Sequence, residues 1–148
     1  VEDDPADLEL ALFALQKCSL ANKIQVVRNG EEALDFLFYS ARFSAHSFAH
    51  PPQVVFLDLK LPKLDGLQVL REVKDDPRTK SIPSVVMTSA AEQRDVMEGY
   101  QLGVNSYLQK PVDFGAFQKL IKDLGSYRLV VNEISPGVIP RQHYVGRE

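Results

Sequence analysis

The side chains capable of chemistry sit in short segments, all but the first of which follow or lie within apolar runs. Val1-Glu2-Asp3-Asp4-Pro5 and Phe56-Leu57-Asp58-Leu59-Lys60-Leu61-Pro62 supply carboxylates. Met87-Thr88-Ser89-Ala90 supplies hydroxyls and Gln109-Lys110-Pro111 an ammonium, with Tyr107 just ahead of it. Clustered carboxylates repel one another, and a hard divalent cation relieves that repulsion. Mg²⁺ (or Mn²⁺) suits such a cluster, because it takes a few oxygen ligands and leaves room for a phosphate oxygen. Phosphoryl transfer then asks for positive charge on the equatorial oxygens and a nucleophile in line with the leaving group. Asp58 is the candidate nucleophile, forming an aspartyl phosphate. The cation would cover one phosphoryl oxygen, Lys110 a second and the Thr88 hydroxyl a third.

Groups so far apart in the chain can meet only if the elements carrying them end at one edge. The apolar spacing predicts a helix over Asp7–Leu20, a strand at Ile24–Arg28 and, after Asn29-Gly30, a helix over Glu31–Tyr39. Val54–Leu57 reads as a strand buried on both faces, followed by a helix over Gly66–Asp75. A strand within Pro83–Thr88, a helix over Glu92–Leu102, a strand at Ser106–Leu108 and a helix over Phe114–Val131 complete the series. Such alternation implies an α/β fold, a doubly wound five-stranded parallel sheet covered on both faces. With strand order 2-1-3-4-5, ligands bind outside the strand carboxyl ends where the order reverses, between the strands ending in Glu2-Asp3 and in Asp58.

Composition narrows the alternatives. The 148 residues suit one domain, and 20 acidic against 17 basic residues leave no basic footprint for nucleic acid. A single cysteine, Cys18, rules out an intrachain disulfide and multi-cysteine metal sites, and no apolar run is long enough to span a membrane. A soluble, cytoplasmic domain is expected. Residues 1–131 are read as the domain and 132–148 as a tail, while Ser40–Pro52 reads as a surface loop. The doubly wound sheet needs a first strand feeding the helix at Asp7, so further apolar residues are expected ahead of Val1.

Glu2-Asp3, the run into Asp58-x-x-x-Pro62-x-x-Asp65-Gly66, Thr88 at a strand end and Lys110-Pro111 together resemble the response-regulator receiver domain of two-component systems, a flavodoxin-like fold. The resemblance spans Val1 to about Val131. The Glu2–Asp7 segment, the long loop and Leu129–Pro136 are similar to single-domain response regulators that partner phytochrome kinases. The resemblance implies that Asp58 is the phosphoacceptor, receiving its phosphoryl group from a sensor histidine kinase. It implies an acidic pocket of Glu2, Asp3 and Asp58, with Asp3 the more direct metal ligand and the Lys60 backbone carbonyl another. Thr88, Ser89 and Lys110 would bind phosphate, and Thr88 and Tyr107 would form the switch pair. The Lys110–Pro111 bond would be cis, and Lys60 and Ala90 would flank the path of attacking water. The Glu92–Val131 face would change shape for a protein partner or a homodimer, with no DNA or membrane contact.

Other residues have plainer readings. Asp4 is expected to be a solvated first-turn acid, Cys18 a small core residue, and Asp65-Gly66 a turn and helix start. His46 and His50 lack partners at ligand spacing. A haloacid-dehalogenase-type phosphatase also phosphorylates an aspartate at a strand end. It needs a second acid two residues on, where this chain has Lys60. A degenerate receiver serving only as a scaffold would not need the intact acid, hydroxyl and ammonium set. The chain is therefore read as a signalling phosphoacceptor that acts only on itself.

Overall fold

The structure, a computed structural model, describes residues 1–17, 24–38, 52–89 and 93–123. Cys18, both loop histidines, Ala90, Glu92 and everything from 124 onward, including the tail, lie outside those residues. Helix α1 covers Pro5–Lys17 and α2 Gly30–Leu37; β1 covers Val55–Asp58 and α3 Gly66–Asp75. Strand β2 covers Ser84–Thr88, α4 Gln93–Gln101 and β3 Ser106–Gln109. Residues 114–123 are helical and are labelled α5.

Local chemistry sets the helix starts. Asp4 Oδ1 accepts from the Ala6 and Asp7 N–H groups, each at 2.9 Å, and Pro5 takes the first helical position, where a missing N–H does no harm. Asp4 is therefore the cap of α1 rather than merely a solvated acid, and the helix begins two residues earlier than the apolar spacing predicted. Asn29 caps α2 by accepting from Glu32 N at 2.9 Å, and Asp65 and Gln68 form a reciprocal capping box on α3. The capping box stops α3 from starting anywhere but Gly66, as predicted.

The three strands are parallel, in the order β1-β2-β3, with Asp58 paired to Met87 and Thr88 to Gln109. On the far side of β1, Val1 N–H donates to Phe56 O and Asp58 N–H to Val1 O at 3.1 Å, while Glu2 N–H donates to Val27 O at 3.1 Å. Residues 1–2 thus lie in the lane between β1 and residues 24–28, the place of a first strand in the predicted order. Residues 24–28 are extended and meet residues 1–2 through the Glu2–Val27 bond. A cavity of about 80 Å³ remains between α1, residues 24–27 and β1.

Strand alternation sends side chains to two faces. Leu57 and Val86 pack with Ala33 and Leu37 of α2 and Val69, Leu70 and Val73 of α3. Val85, Met87 and Leu108 pack on the other face with Ala11, Ala14 and Leu15 of α1 and Phe117 and Leu120 of α5. Helix α4 lies beside α3, joined by the Arg71–Glu98 ion pair at 2.7 Å. Both sheet faces are therefore covered, which leaves the carboxyl ends of the strands as the open edge. No helix among the described residues is long and apolar enough to cross a membrane.

Candidate functional site

Parallel strands deliver their last residues to one edge, so Asp58, Thr88 and Lys110 emerge side by side. The Lys110 N–H donates to Thr88 O at 2.8 Å, carrying the ladder one residue past β3, and the Lys110–Pro111 peptide is cis. From there the Lys110 ammonium meets three carboxylates: Glu2 Oε2 at 2.8 Å, Asp7 Oδ2 at 2.8 Å and Asp58 Oδ2 at 3.0 Å. The other Asp58 oxygen accepts from the Lys60 N–H at 3.2 Å, while the Lys60 side chain is exposed. Asp58 is 4% exposed and Glu2 only 1%, whereas Asp3 faces solvent. The sequence-predicted acids and ammonium are thus brought together in one pocket.

Electrostatics explain what that pocket can hold. Burial pushes the Glu2 carboxyl above its usual range, although its contact with Lys110 pulls it back in part. Burial alone would lower the Lys110 ammonium, but bonds to Asp7, Glu2 and Asp58 outweigh it and hold the group above its ordinary value. One cation cannot neutralise Glu2, Asp3, Asp7 and Asp58 together. Glu2, Asp3 and Asp58 each offer an oxygen, all within 4.8 Å of one another, and Glu2 Oε2 receives no hydrogen bond of good geometry despite its ion pair. The donor set is all oxygen and anionic, so a hard divalent ion fits.

Thr88 is buried at the end of β2, and its hydroxyl donates to the Ser89 carbonyl at 3.1 Å; Ser89 is half-buried. Tyr107 lies lower on β3, half-buried, with its hydroxyl donating to Val96 O of α4 at 2.6 Å and its ring 4.8 Å from that of Tyr100. Its seat depends on Gly99: a Cβ there would stand 1.9 Å from the Tyr107 hydroxyl oxygen. A glycine in a helix interior is about 1 kcal/mol worse than alanine, so Gly99→Ala would ordinarily stabilise α4. Here it is expected to expel the ring and break the bond to Val96. NMR of labelled tyrosine rings, with Tyr107→Phe to assign the resonance, should show Tyr107 moving to a solvent-exposed position. An unchanged Tyr107 resonance would mean that α4 yields instead.

Two positions beside the site have contacts that the sequence does not announce. Asp7, expected as a helix start and as the end of the Glu2–Asp7 segment, also reaches Lys110; an acid one turn beyond the Glu2-Asp3 cluster is the available signal. Gly66, expected as a turn and helix start, is that and also has a steric place. A Cβ on it would lie 2.2 Å from the Asp58 carbonyl oxygen, and its N–H donates to Leu59 O at 2.8 Å. Gly66 thereby lets α3 begin directly against the backbone of the acid.

Comparison with known proteins agrees with this geometry. Residues 1–122 match the family described as the response regulator receiver domain. The bacteriophytochrome response regulator RtBRR is 47% identical, with a TM-score of 0.77 over 93% of this chain and 82% of that one. Response regulator Rcp1 of Synechocystis sp. is 34% identical over 87% of this chain and 86% of its own length. The structure of its Mn²⁺-bound form superposes with a TM-score of 0.72 at 32% identity, covering 95% of this chain and 96% of that one. The phosphorylated cyanobacterial phytochrome response regulator RcpA gives 0.72 at 33% identity, covering 95% of each chain. With an acid, a hydroxyl and an ammonium converging at the carboxyl edge of a parallel sheet, and with these relatives, the chain belongs to the response regulator receiver domain family.

Proposed function

We infer that Asp58 is the residue through which this phosphoacceptor of two-component signalling takes its phosphoryl group. The reading is carried by the 3.0 Å contact of Lys110 Nζ with a buried Asp58 carboxylate, beside Thr88 on the neighbouring strand. An Asp58 oxygen attacks phosphorus, and the bond from phosphorus to the donor, the imidazole nitrogen of a phosphohistidine, breaks with its electron pair leaving on that nitrogen. Lys110 neutralises one phosphoryl oxygen. Thr88 donates its hydroxyl to another, giving up its bond to Ser89. Glu2, Asp3, Asp58 and the Lys60 carbonyl would hold Mg²⁺ (Mn²⁺ being an alternative), which when bound supplies the remaining positive charge at the phosphoryl oxygens.

Phosphorylation adds about −1.5 to −2 charges at this edge. Movement of Thr88 toward them opens space that Tyr107 can occupy, and the face from residue 92 to 131 changes with it. The partner upstream is a histidine kinase of the phytochrome type, a reading supported by the similarity to RtBRR and RcpA. Downstream, the face serves protein docking or pairing of two chains rather than DNA contact. Residues 1–131 act as the receiver and 132–148 as a tail, in the cytoplasm, with no reaction catalysed on other molecules.

The test is incubation with a small acyl-phosphate donor and Mg²⁺, followed by intact-mass analysis. One phosphoryl group per chain is expected, and none after chelation of divalent ions. No uptake at saturating Mg²⁺ would overturn the reading.

A further inference from the structure

We propose that Asp7 is a positioning residue for phosphoryl transfer: from the first turn of α1 it holds the Lys110 ammonium back and so sets how readily it reaches the phosphoryl group. The inference rests on the roles given above to Asp58 and Lys110.

An ammonium has three N–H donors and no more. Three carboxylate oxygens stand at bonding distance from Lys110 Nζ, those of Glu2, Asp7 and Asp58. A phosphoryl oxygen drawing on Lys110 therefore competes with three carboxylates already paired to it, Asp58 through a hydrogen bond at 3.0 Å and Glu2 and Asp7 through ion pairs at 2.8 Å. Glu2 and Asp58 are buried, and together with Asp3 they form the oxygen cluster suited to a cation. Asp7 lies outside that cluster. Its side chain is 30% exposed, the most open of the three, and it reaches Lys110 from a helix rather than from the sheet.

Asp7 consequently acts on Lys110 in two ways. It draws the ammonium away from the acids that a cation would use, and it competes with the incoming phosphoryl group for the ammonium. Its position is firmly set, because its own N–H donates to Asp4 Oδ1 at 2.9 Å within the cap of α1.

Asp7→Asn retains the shape and removes the charge. With a small acyl-phosphate donor at saturating Mg²⁺, its rate of phosphoryl uptake should rise about fivefold, the scale of a partly exposed ion pair. Its affinity for Mg²⁺ alone, titrated without any donor, should fall, because Lys110 then settles more firmly on Glu2 and Asp58. General damage to the fold cannot produce a faster rate together with a weaker cation affinity. Asp7→Glu, which keeps the charge, should return the rate toward that of wild type. In a Lys110→Met background the substitution of Asp7 should leave the rate unchanged, since the effect runs through the ammonium. An Asp7→Asn rate equal to or below wild type overturns the proposal, as does an equal acceleration in the Lys110→Met background. Failure of the underlying assignment looks different: wild type would take no phosphoryl group, or Asp58→Asn would take it as wild type does.

Discussion

Asp58→Asn takes up no phosphoryl group from an acyl-phosphate donor, while its thermal unfolding stays within a few degrees of wild type: this is the expected outcome. An amide oxygen is a poor nucleophile, and no other described carboxylate has the same surroundings. Glu2 is buried and meets Lys110, yet it sits in the lane beyond β1 rather than at the end of a strand next to Thr88. Asp3 is exposed and Asp7 belongs to α1. The asparagine preserves the side-chain oxygen that accepts from the Lys60 N–H. Lys110 keeps two of its three carboxylates in this variant, so no ammonium is stranded. Intact mass after incubation with donor and Mg²⁺ decides the chemistry, and a melting curve decides the fold. Uptake by the variant equal to that of wild type would move the phosphoacceptor elsewhere.

Lys110→Met should damage both chemistry and stability. The methionine keeps an apolar stem of similar length but removes the cation from among three acids. Glu2 Oε2 then has no hydrogen bond and no ion pair in a nearly solvent-free position. Removing one partner of a buried pair costs about 3–5 kcal/mol; the partial exposure of Asp7 and Asp3 brings the expected loss here nearer 2–3 kcal/mol. Divalent ions should restore part of it, because a ligand that binds only the folded state stabilises it by mass action, about 2.7 kcal/mol at a hundred times its Kd. Wild type should gain less from the same ion, since its acids already share an ammonium. Phosphoryl uptake should drop on the order of a hundredfold, as for other single donors aimed at developing negative charge. Urea unfolding with and without Mg²⁺ tests the first part. A cation-free stability equal to wild type would mean that the ion cluster contributes nothing to folding.

Much of this was legible without coordinates. The helix over Gly66–Asp75 was predicted with the bounds it has, because the apolar period and the Asp65-Gly66 start lie within a few neighbouring residues. Strand β1 is shifted by one residue at each end from its predicted limits, and β2 and β3 differ by one residue at one end, since short apolar runs mark strands without fixing their last residue. The strand expected at Ile24–Arg28 is extended chain, joined among the described residues to residues 1–2 at Val27.

What the amino-acid order determined by itself was an inventory and a rhythm: acids at Glu2, Asp3 and Asp58, hydroxyls at Thr88 and Ser89, an ammonium at Lys110, and alternating elements that put each near a strand end. Tertiary structure alone decided which atoms touch. Lys110 meets Asp7 as closely as Glu2, Gly66 admits α3 against the Asp58 carbonyl, and Gly99 admits the Tyr107 ring. The physical reason is range. Periodicity and capping are written in residues a turn or two apart, whereas a contact between Asp7 and Lys110 depends on strand register and helix placement, to which every packed residue between them contributes.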